Sequence, residues 1–204
     1  MTAKPNNLTR EQMAETARRH FLRGIEVKKA AAEHCALEIA DAARILIECL
    51  QADGKILLCG NGGSAADCQH IAAEFTSVLN QDFKRPGLPA IALTTDTSFI
   101  TANANDFGFE GIFERQVQAL GRRGDCVVGI STSGNSKNVF CALQYAREHE
   151  MKTIALTGAG GGQMANIADA LIKIPSGDTQ FVQESHIAAG HILCALVESA
   201  LFDH

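Results

Sequence analysis

Two side chains that could share a metal ion or a proton lie four residues apart, at His70 and Glu74. On a helix, this spacing places both side chains on one face. An imidazole and a carboxylate on one face can bind a divalent metal or act as an acid and base pair. The same spacing is typical of a surface ion pair, so the spacing leaves both interpretations open. The position favours chemistry, because the predicted helix begins at a glycine-rich turn.

A second group of such residues lies in the stretch QESHIAAGH, which contains Gln183, His186 and His191. It belongs to an apolar run, in which a histidine is more typical of the core than of a metal site. Gln183 and His191 would lie about 12 Å apart along a helix axis. Both could reach one metal only by leaning toward each other, or if they came from different subunits. The pattern alone does not decide between a core and a site.

Two glycine-containing loops, NGGS at residues 61–64 and STSGNS at residues 131–136, each follow a predicted strand and precede a predicted helix. Glycine lets the backbone approach a ligand, and a helix N-terminus offers unpaired N–H groups. We expect Ser64 and Asp67 to form a capping pair at the first of these helices. The hydroxyl groups of STSGNS favour a phosphate monoester over a mere capped turn.

Nucleotide-binding motifs are not present. No glycine-rich loop ends in Gly-Lys-Ser or Gly-Lys-Thr, as a P-loop requires. In TGAGGGQMA, a dinucleotide fingerprint starting at Gly158 would need its third glycine at position 163, which is Gln163. This stretch is therefore predicted to be a turn after a strand.

Composition limits the classes of function. The chain has 204 residues, of which 46% are hydrophobic and 20% charged, and its net charge is −5. No apolar run is long enough to span a membrane, and no basic cluster or tryptophan indicates nucleic-acid binding. The seven cysteines are widely spaced and include no CxxC pair, which predicts buried thiols in a reducing compartment. We therefore expect a cytoplasmic protein with neither membrane nor nucleic acid as a partner.

The fold class follows from five short apolar runs, KILLCG, PAIALTT, DCVVGIST, KTIALTG and the weaker ALIKIP, which alternate with helical patterns. This alternation predicts an α/β protein with a doubly wound, parallel five-stranded sheet and helices on both faces. Ligands bind such sheets at the carboxyl ends of the strands, where the polar loops lie. A long helix is predicted from about residue 178 to 202.

The N-terminal part is predicted to be helical. Thr9 and Gln12 fit a capping box at the start of the first helix, and the second helix is expected to stop near Asp53. Regular apolar stripes on these helices indicate subunit contacts in a homo-oligomer. We expect residues 1–53 to form a helical extension that makes these contacts. Residues 54–204 would form the sheet domain, in one globular unit with the extension.

The chain resembles the phosphoheptose isomerases, which are single sugar-isomerase (SIS) domain enzymes. The stretches that carry the resemblance are CGNGGSAADCQHIAAEF, ALTTDTS, NDFGFEGIF, GDCVVGISTSGNS, ALTGAGGG and QESHIAAGHILCALVE. The resemblance implies a homotetramer with active sites at subunit interfaces and one Zn²⁺ per subunit. It also implies interconversion of D-sedoheptulose 7-phosphate and D-glycero-D-manno-heptose 7-phosphate, the first step toward the heptose of lipopolysaccharide and related surface glycans.

The resemblance also implies a role for individual residues. The metal ligands would be His70, Glu74, Gln183 and His191, with Glu74 as the general base and His191 as the acid. Asp96 would have a supporting role. The substrate contacts would be Asn61, Gly62, Gly63, Glu74, Asn105, Asp106, Ser131, Thr132, Ser133, Ser136 and Gln183.

Two alternatives belong to the same fold. One is a non-catalytic SIS protein that binds the replication initiator or senses phosphosugars in a transcription regulator. The other is an isomerase of a different phosphosugar. The four predicted metal ligands favour an enzyme, and the N-terminal helices are too apolar and too weakly basic for a DNA-binding domain. The loop QDFKRPGLP could alter subunit packing or substrate reach.

Overall fold

The structure, a computed structural model, describes residues 7–202 and contains one five-stranded sheet. The strands are β1 (Ile56–Gly60), β2 (Ala90–Ala92), β3 (Cys126–Ile130), β4 (Lys152–Thr157) and β5 (Ala170–Lys173). Their order is β2-β1-β3-β4-β5, and every neighbouring pair is parallel. All five predicted strands are therefore confirmed, including the one in the weak run ALIKIP.

Seven α-helices surround this sheet within residues 7–202. They are α1 (Arg10–His34), α2 (Ala36–Gln51), α3 (Gly63–Thr76), α4 (Thr97–Phe107), α5 (Ile112–Leu120), α6 (Lys137–Glu148) and α7 (Thr179–Leu201). Two short 3₁₀ helices lie at Phe109–Gly111 and Gln163–Asn166. The predicted capping box is confirmed, because Thr9 and Gln12 each bond the other's backbone N–H through their side chains. Thus the local signals at the start of α1 agree with the fold.

The sheet is covered on both faces, which explains why its strands are continuously apolar. Ile56 and Leu58 point into one core, which α2, α3 and α7 cover. Leu57 and Cys59 point into a second core, which α5 and α6 cover. All seven cysteines are free thiols, and all but Cys141 are buried, as expected. The doubly wound architecture predicted from the sequence is confirmed.

The N-terminal helices differ in how they pack. Helix α2 contacts α7 and β5 and contributes Ile39 and Leu46 to the core. It ends at Gln51, and Asp53 has a φ of 59°, close to the predicted stop. Helix α1 contacts α7 and α2, but its apolar residues Phe21 and Leu22 are exposed. Along the described part of the chain, no helix combines the length and apolarity that crossing a bilayer requires.

One local prediction is wrong. We expected Ser64 and Asp67 to cap α3, but the helix begins at Gly63 and its N-cap residue is Gly62. Gly62 has a φ of 56°, which turns the chain directly into the helix. Ser64 is therefore already inside the first turn, and both Ser64 and Asp67 are buried.

His186 belongs to the core, one of the two environments that the sequence left open. It is fully buried on α7, and its Nε2 lies 3.1 Å from the carbonyl oxygen of Thr157. A carbonyl only accepts, so the ring must donate from Nε2, and Nδ1 has no partner among the described residues. Burial lowers the pKa of His186 to about 4. This histidine is therefore neutral and holds α7 against the end of β4.

The buried imidazole predicts a dependence of stability on pH. Below about pH 6.5 the unfolded chain binds a proton that native His186 does not, so the free energy of unfolding falls until about pH 4. The loss attributable to this group is roughly 3 kcal/mol. We expect His186→Gln to be less stable than the wild type at pH 7 but to lose less stability on acidification. Urea unfolding between pH 7 and pH 4 measures how steeply the free energy of unfolding changes with pH in the wild type and in the variant. The exposed His34→Gln is the control. Equal slopes for His186→Gln and the wild type would contradict the assignment.

Candidate active site

The strand order brings two predicted ligand loops together. Connections leave β1 and β3 in opposite directions, which opens a crevice at their carboxyl ends. Asn61 follows β1, and Ser131 follows β3. The side chains of Asn61 and Asn138 donate to each other, at 2.8 and 2.9 Å, and so tie the loop after β1 to the first turn of α6. Buried Asn138 was not predicted from the sequence, although it lies two residues after the serine-rich loop.

The loop at residues 131–136 is compact, and its hydroxyl groups converge. Ser131 Oγ lies 2.8 Å from Ser136 Oγ and 3.4 Å from Ser133 Oγ. Ser136 is the N-cap residue of α6, as predicted. Gly134, at a φ of 67°, packs so closely on the backbone of residues 161–162 that a Cβ there would collide with it. The turn in TGAGGG therefore packs against this loop and supports it. Serine hydroxyls at a helix N-terminus can bind a phosphate group.

His70, Glu74 and His191 form one cluster. Their ligand atoms all lie within 4.8 Å of one another. His70 Nε2 is 2.9 Å from His191 Nε2 and 3.3 Å from Glu74 Oε1. In a tetrahedral zinc site, ligand atoms lie about 3.3 Å apart, because each is about 2.0 to 2.1 Å from the metal. Two imidazoles and a carboxylate at these separations could hold Zn²⁺.

Gln183 lies on the same pair of helices as this cluster, eight residues before His191 on α7. Its amide is so close to Gly63 that a Cβ at residue 63 would overlap it, and it also donates to Asp67. Gly63, Asp67 and His70 recur at helical spacing along α3, opposite Gln183 and then His191 on α7. Gln183 is therefore paired with the first turn of α3 and His191 with the next two turns. The role of Gln183 as a fourth ligand stays a prediction.

Asp67 was not among the predicted site residues. Its side chain is buried, and Oδ2 has no partner within residues 7–202. Burial raises the pKa of Asp67, which the hydrogen bond from Gln183 and the charge of His70 oppose. The carboxylate faces a cavity of about 360 Å³ whose other lining residues include His20 and Glu184. The hydrogen bond with Asp67 therefore holds the Gln183 side chain against the first turn of α3.

The remaining predicted residues, Asp96, Asn105 and Asp106, lie at the two ends of α4. Asp96 is the N-cap of the helix, and its carboxylate accepts from the Phe99 backbone N–H at 2.9 Å. At the other end, the exposed Asn105 donates to Asp106 at 2.8 Å. In the part of the chain that the structure describes, Asn105 and Asp106 have no hydrogen bond to the cluster or to the serine loop. Their substrate contacts, and the supporting role of Asp96, stay predictions.

Comparisons of sequence and of structure lead to the same group of proteins. The SIS domain family model matches residues 20–158. A phosphoheptose isomerase of Nitratidesulfovibrio vulgaris is 50% identical over 196 residues, which are 94% of this chain and 93% of that protein. One from Aneurinibacillus thermoaerophilus is 52% identical, covering 93% and 96%. The solved structure of a phosphoheptose isomerase from Neisseria gonorrhoeae is 46% identical, with a TM-score of 0.86, covering 92% of this chain and 99% of that one.

The contact of Gly63 with Gln183 generates a prediction. Gly63→Ala would push the Gln183 amide away from Asp67, and we expect it to lower the free energy of unfolding by about 1 to 3 kcal/mol. In a Gln183→Ala background the space is free, so the same change should cost less. Urea unfolding of the four proteins in this cycle measures the coupling. Gly177→Ala is the matched control, because no atom lies within 4 Å of its new Cβ. Equal costs in both backgrounds would show that the contact does not constrain Gln183.

Proposed function

The chain belongs to the phosphoheptose isomerases of the SIS domain family, and we propose that it interconverts D-sedoheptulose 7-phosphate and D-glycero-D-manno-heptose 7-phosphate at the crevice between β1 and β3. The observation that carries the proposal is the cluster of His70, Glu74 and His191, two of whose members lie on the helix that begins at the loop after β1. The serine loop offers a binding site for the phosphate of the substrate, and the cluster offers acid and base groups for its carbonyl end. An aldose–ketose isomerase needs both.

The proton chemistry is assigned to two side chains. Isomerisation moves a proton between C1 and C2 through an enediol, so a base must take a carbon-bound proton and an acid must serve the oxygens. Glu74 is the proposed base, and its side chain is only 18% exposed. His191 is the proposed acid, the role that the family resemblance implies, and its Nε2 lies 2.9 Å from His70 Nε2 in the same cluster. The proposed phosphate contacts are Ser131, Thr132, Ser133 and Ser136, and Asn61, Gly62, Gly63 and Gln183 complete the crevice.

One Zn²⁺ per subunit is proposed at His70, Glu74 and His191, with Gln183 as a further ligand. The donor set supports this assignment, because two imidazoles and a carboxylate suit zinc. When bound, the metal would polarise the substrate carbonyl and orient its neighbouring hydroxyl. A metal-bound carboxylate is a weaker base. Either Glu74 would hold the metal only loosely, so that its carboxylate stays free to take the proton, or the metal would chiefly organise the site.

A homotetramer with active sites at subunit interfaces is proposed for the whole enzyme. The exposed apolar residues of α1, Phe21, Leu22 and Ile25, support subunit contacts by the segment 1–53. An apolar groove of about 560 Å³ between α1, α2 and α7 continues this surface to Ile192. In such an assembly, a neighbouring subunit would supply Asn105 and Asp106, which one chain does not bring to its own cluster.

The proposed product supplies heptose for lipopolysaccharide or related surface glycans. We propose that the enzyme works in the cytoplasm, which its seven free cysteines support, since thiols persist in reducing compartments. Another phosphosugar would use the same proton chemistry. A panel of pentose, hexose and heptose phosphates in the assay below therefore tests the length of the substrate.

Removing the proposed base should stop turnover. We expect Glu74→Gln to lower kcat by about 10²- to 10⁴-fold without unfolding the protein, because the amide cannot take a proton. The measurement is conversion of sedoheptulose 7-phosphate by zinc-loaded protein, with circular dichroism to verify the fold. Glu148→Gln, at an exposed end of α6, is the control. Near-normal turnover by Glu74→Gln would refute this base, and an inactive wild type with bound zinc would point to another phosphosugar or to a binding role.

Removing one phosphate contact should have a different effect. Ser133→Ala loses a hydrogen bond of about 1 to 2 kcal/mol, so we expect KM to rise by roughly 5- to 30-fold while kcat changes little. Steady-state kinetics with the same substrate separates the two constants, and the exposed Ser98→Ala is the control. A fall in kcat at unchanged KM would place Ser133 at the reacting carbons instead.

A further inference from the structure

Arg85, in the loop between α3 and β2, is a buried arginine with every donor satisfied. Its side chain is 0% exposed, and that of Glu198 on α7 is 4% exposed. Nε and Nη2 both lie 2.7 Å from Glu198 Oε1. Nη1 donates to the carbonyl oxygens of Phe75 and Pro86, both at 2.9 Å, and Nη2 donates to that of Glu74 at 2.8 Å. Five acceptor contacts match the five N–H groups of a guanidinium.

These contacts join two helices through one side chain. The carbonyls of Glu74 and Phe75 belong to the last turn of α3, where backbone oxygens lack partners within the helix. Glu198 anchors the guanidinium to α7 and also accepts from the Leu79 backbone N–H at 3.1 Å. The positive charge is favourable at a helix C-terminus. Arg85 and Glu198 therefore form a clamp between the end of α3 and α7.

The same two helices carry the proposed acid and base. Arg85 bonds the backbone of Glu74 itself. On α7, Glu198 lies seven residues beyond His191 and therefore on the same face. We propose that Arg85 is a positioning residue for the isomerase reaction, which fixes the Glu74 carboxylate relative to His191 and to the metal. The inference rests on the proposed function, because it presupposes that Glu74 acts there.

Stability alone does not account for such a pair. A buried ion pair is often replaceable by apolar residues at little cost, whereas an unpaired buried charge is strongly destabilising. Lysine keeps the charge but offers one nitrogen with three donors, and it cannot hold two helix carbonyls and a carboxylate in one plane. Arg85→Lys therefore changes the geometry while retaining the charge. The double variant Arg85→Met/Glu198→Met removes the pair without leaving a charge.

The test measures catalysis and metal binding separately. We expect both variants to lower kcat at least tenfold, with KM within threefold of the wild type, because the serine loop lies on other elements. We also expect the dissociation constant for Zn²⁺, from chelator competition without substrate, to rise at least tenfold, as for loss of a group that orients a ligand. Arg123→Lys is the control, because its pair with Glu150 at 3.2 Å is exposed. The kinetics and zinc affinities of all proteins are measured at a temperature below their thermal unfolding midpoints.

The outcomes distinguish failure of the positioning role of Arg85 from failure of the proposed isomerase function. Lower stability with wild-type kcat and zinc affinity would overturn the proposal and leave Arg85 a structural residue. A fall in kcat no larger than the fraction of unfolded protein, with unchanged zinc affinity of the folded protein, would do the same. If Glu74→Gln retained turnover, the assignment of Glu74 as the base would fail, and an inactive zinc-loaded wild type would refute the proposed function instead. A tenfold loss of kcat and zinc affinity in folded Arg85→Lys, with an inactive Glu74→Gln, would support the clamp.

Discussion

The close packing of α3 on α7 is the constraint on which the site depends. Gly190 on α7 faces Ile71 so closely that a Cβ at residue 190 would lie 2.6 Å from the Ile71 side chain. Because a larger residue would separate the helices, this glycine allows His70 and His191 to meet at 2.9 Å. The functional cluster is thus a consequence of helix spacing, and its members would separate if α7 moved outward by the width of a methyl group.

Along this helix pair, polar groups alternate with apolar packing. Gln183 lies on Gly63 at the beginning of α3, the histidines meet in the middle, and Arg85 joins Glu198 to the last turn. Buried polar groups are costly unless they are paired, so the buried pair of Arg85 and Glu198 specifies one arrangement of the two helices. The helices therefore hold a defined register where apolar contacts alone would tolerate sliding.

The sheet and the helices contribute different parts of the proposed chemistry. The loops after β1 and β3 are fixed by the sheet and by the exchange of amides between Asn61 and Asn138. These loops suit a charged phosphate, which needs hydroxyl and N–H donors in fixed positions. The proposed acid and base groups lie instead on the helix pair, where their separation can be set by packing. A phosphosugar has a phosphate at one end and a carbonyl at the other, and in the proposed function each end meets a separate structural element.

Local features of the sequence determined much of this protein. Five apolar runs predicted the sheet, Thr9 with Gln12 predicted the start of α1, and the four-residue spacing placed His70 and Glu74 on one face. These predictions succeeded because strand burial, capping and helical periodicity depend on residues close in sequence. The capping pair at Ser64 failed because Gly62, with its positive φ, begins the helix earlier.

Only the tertiary structure decided which polar residues act together. The two histidines of α7 have similar neighbours in sequence, yet His186 is buried against Thr157 and His191 meets His70. An arginine in the polar loop QDFKRPGLP gave no signal of burial, and Arg85 is nevertheless fully enclosed. The physical reason is that periodicity reports the face of one helix, whereas the partner across an interface depends on the packing distance and register of elements distant in sequence.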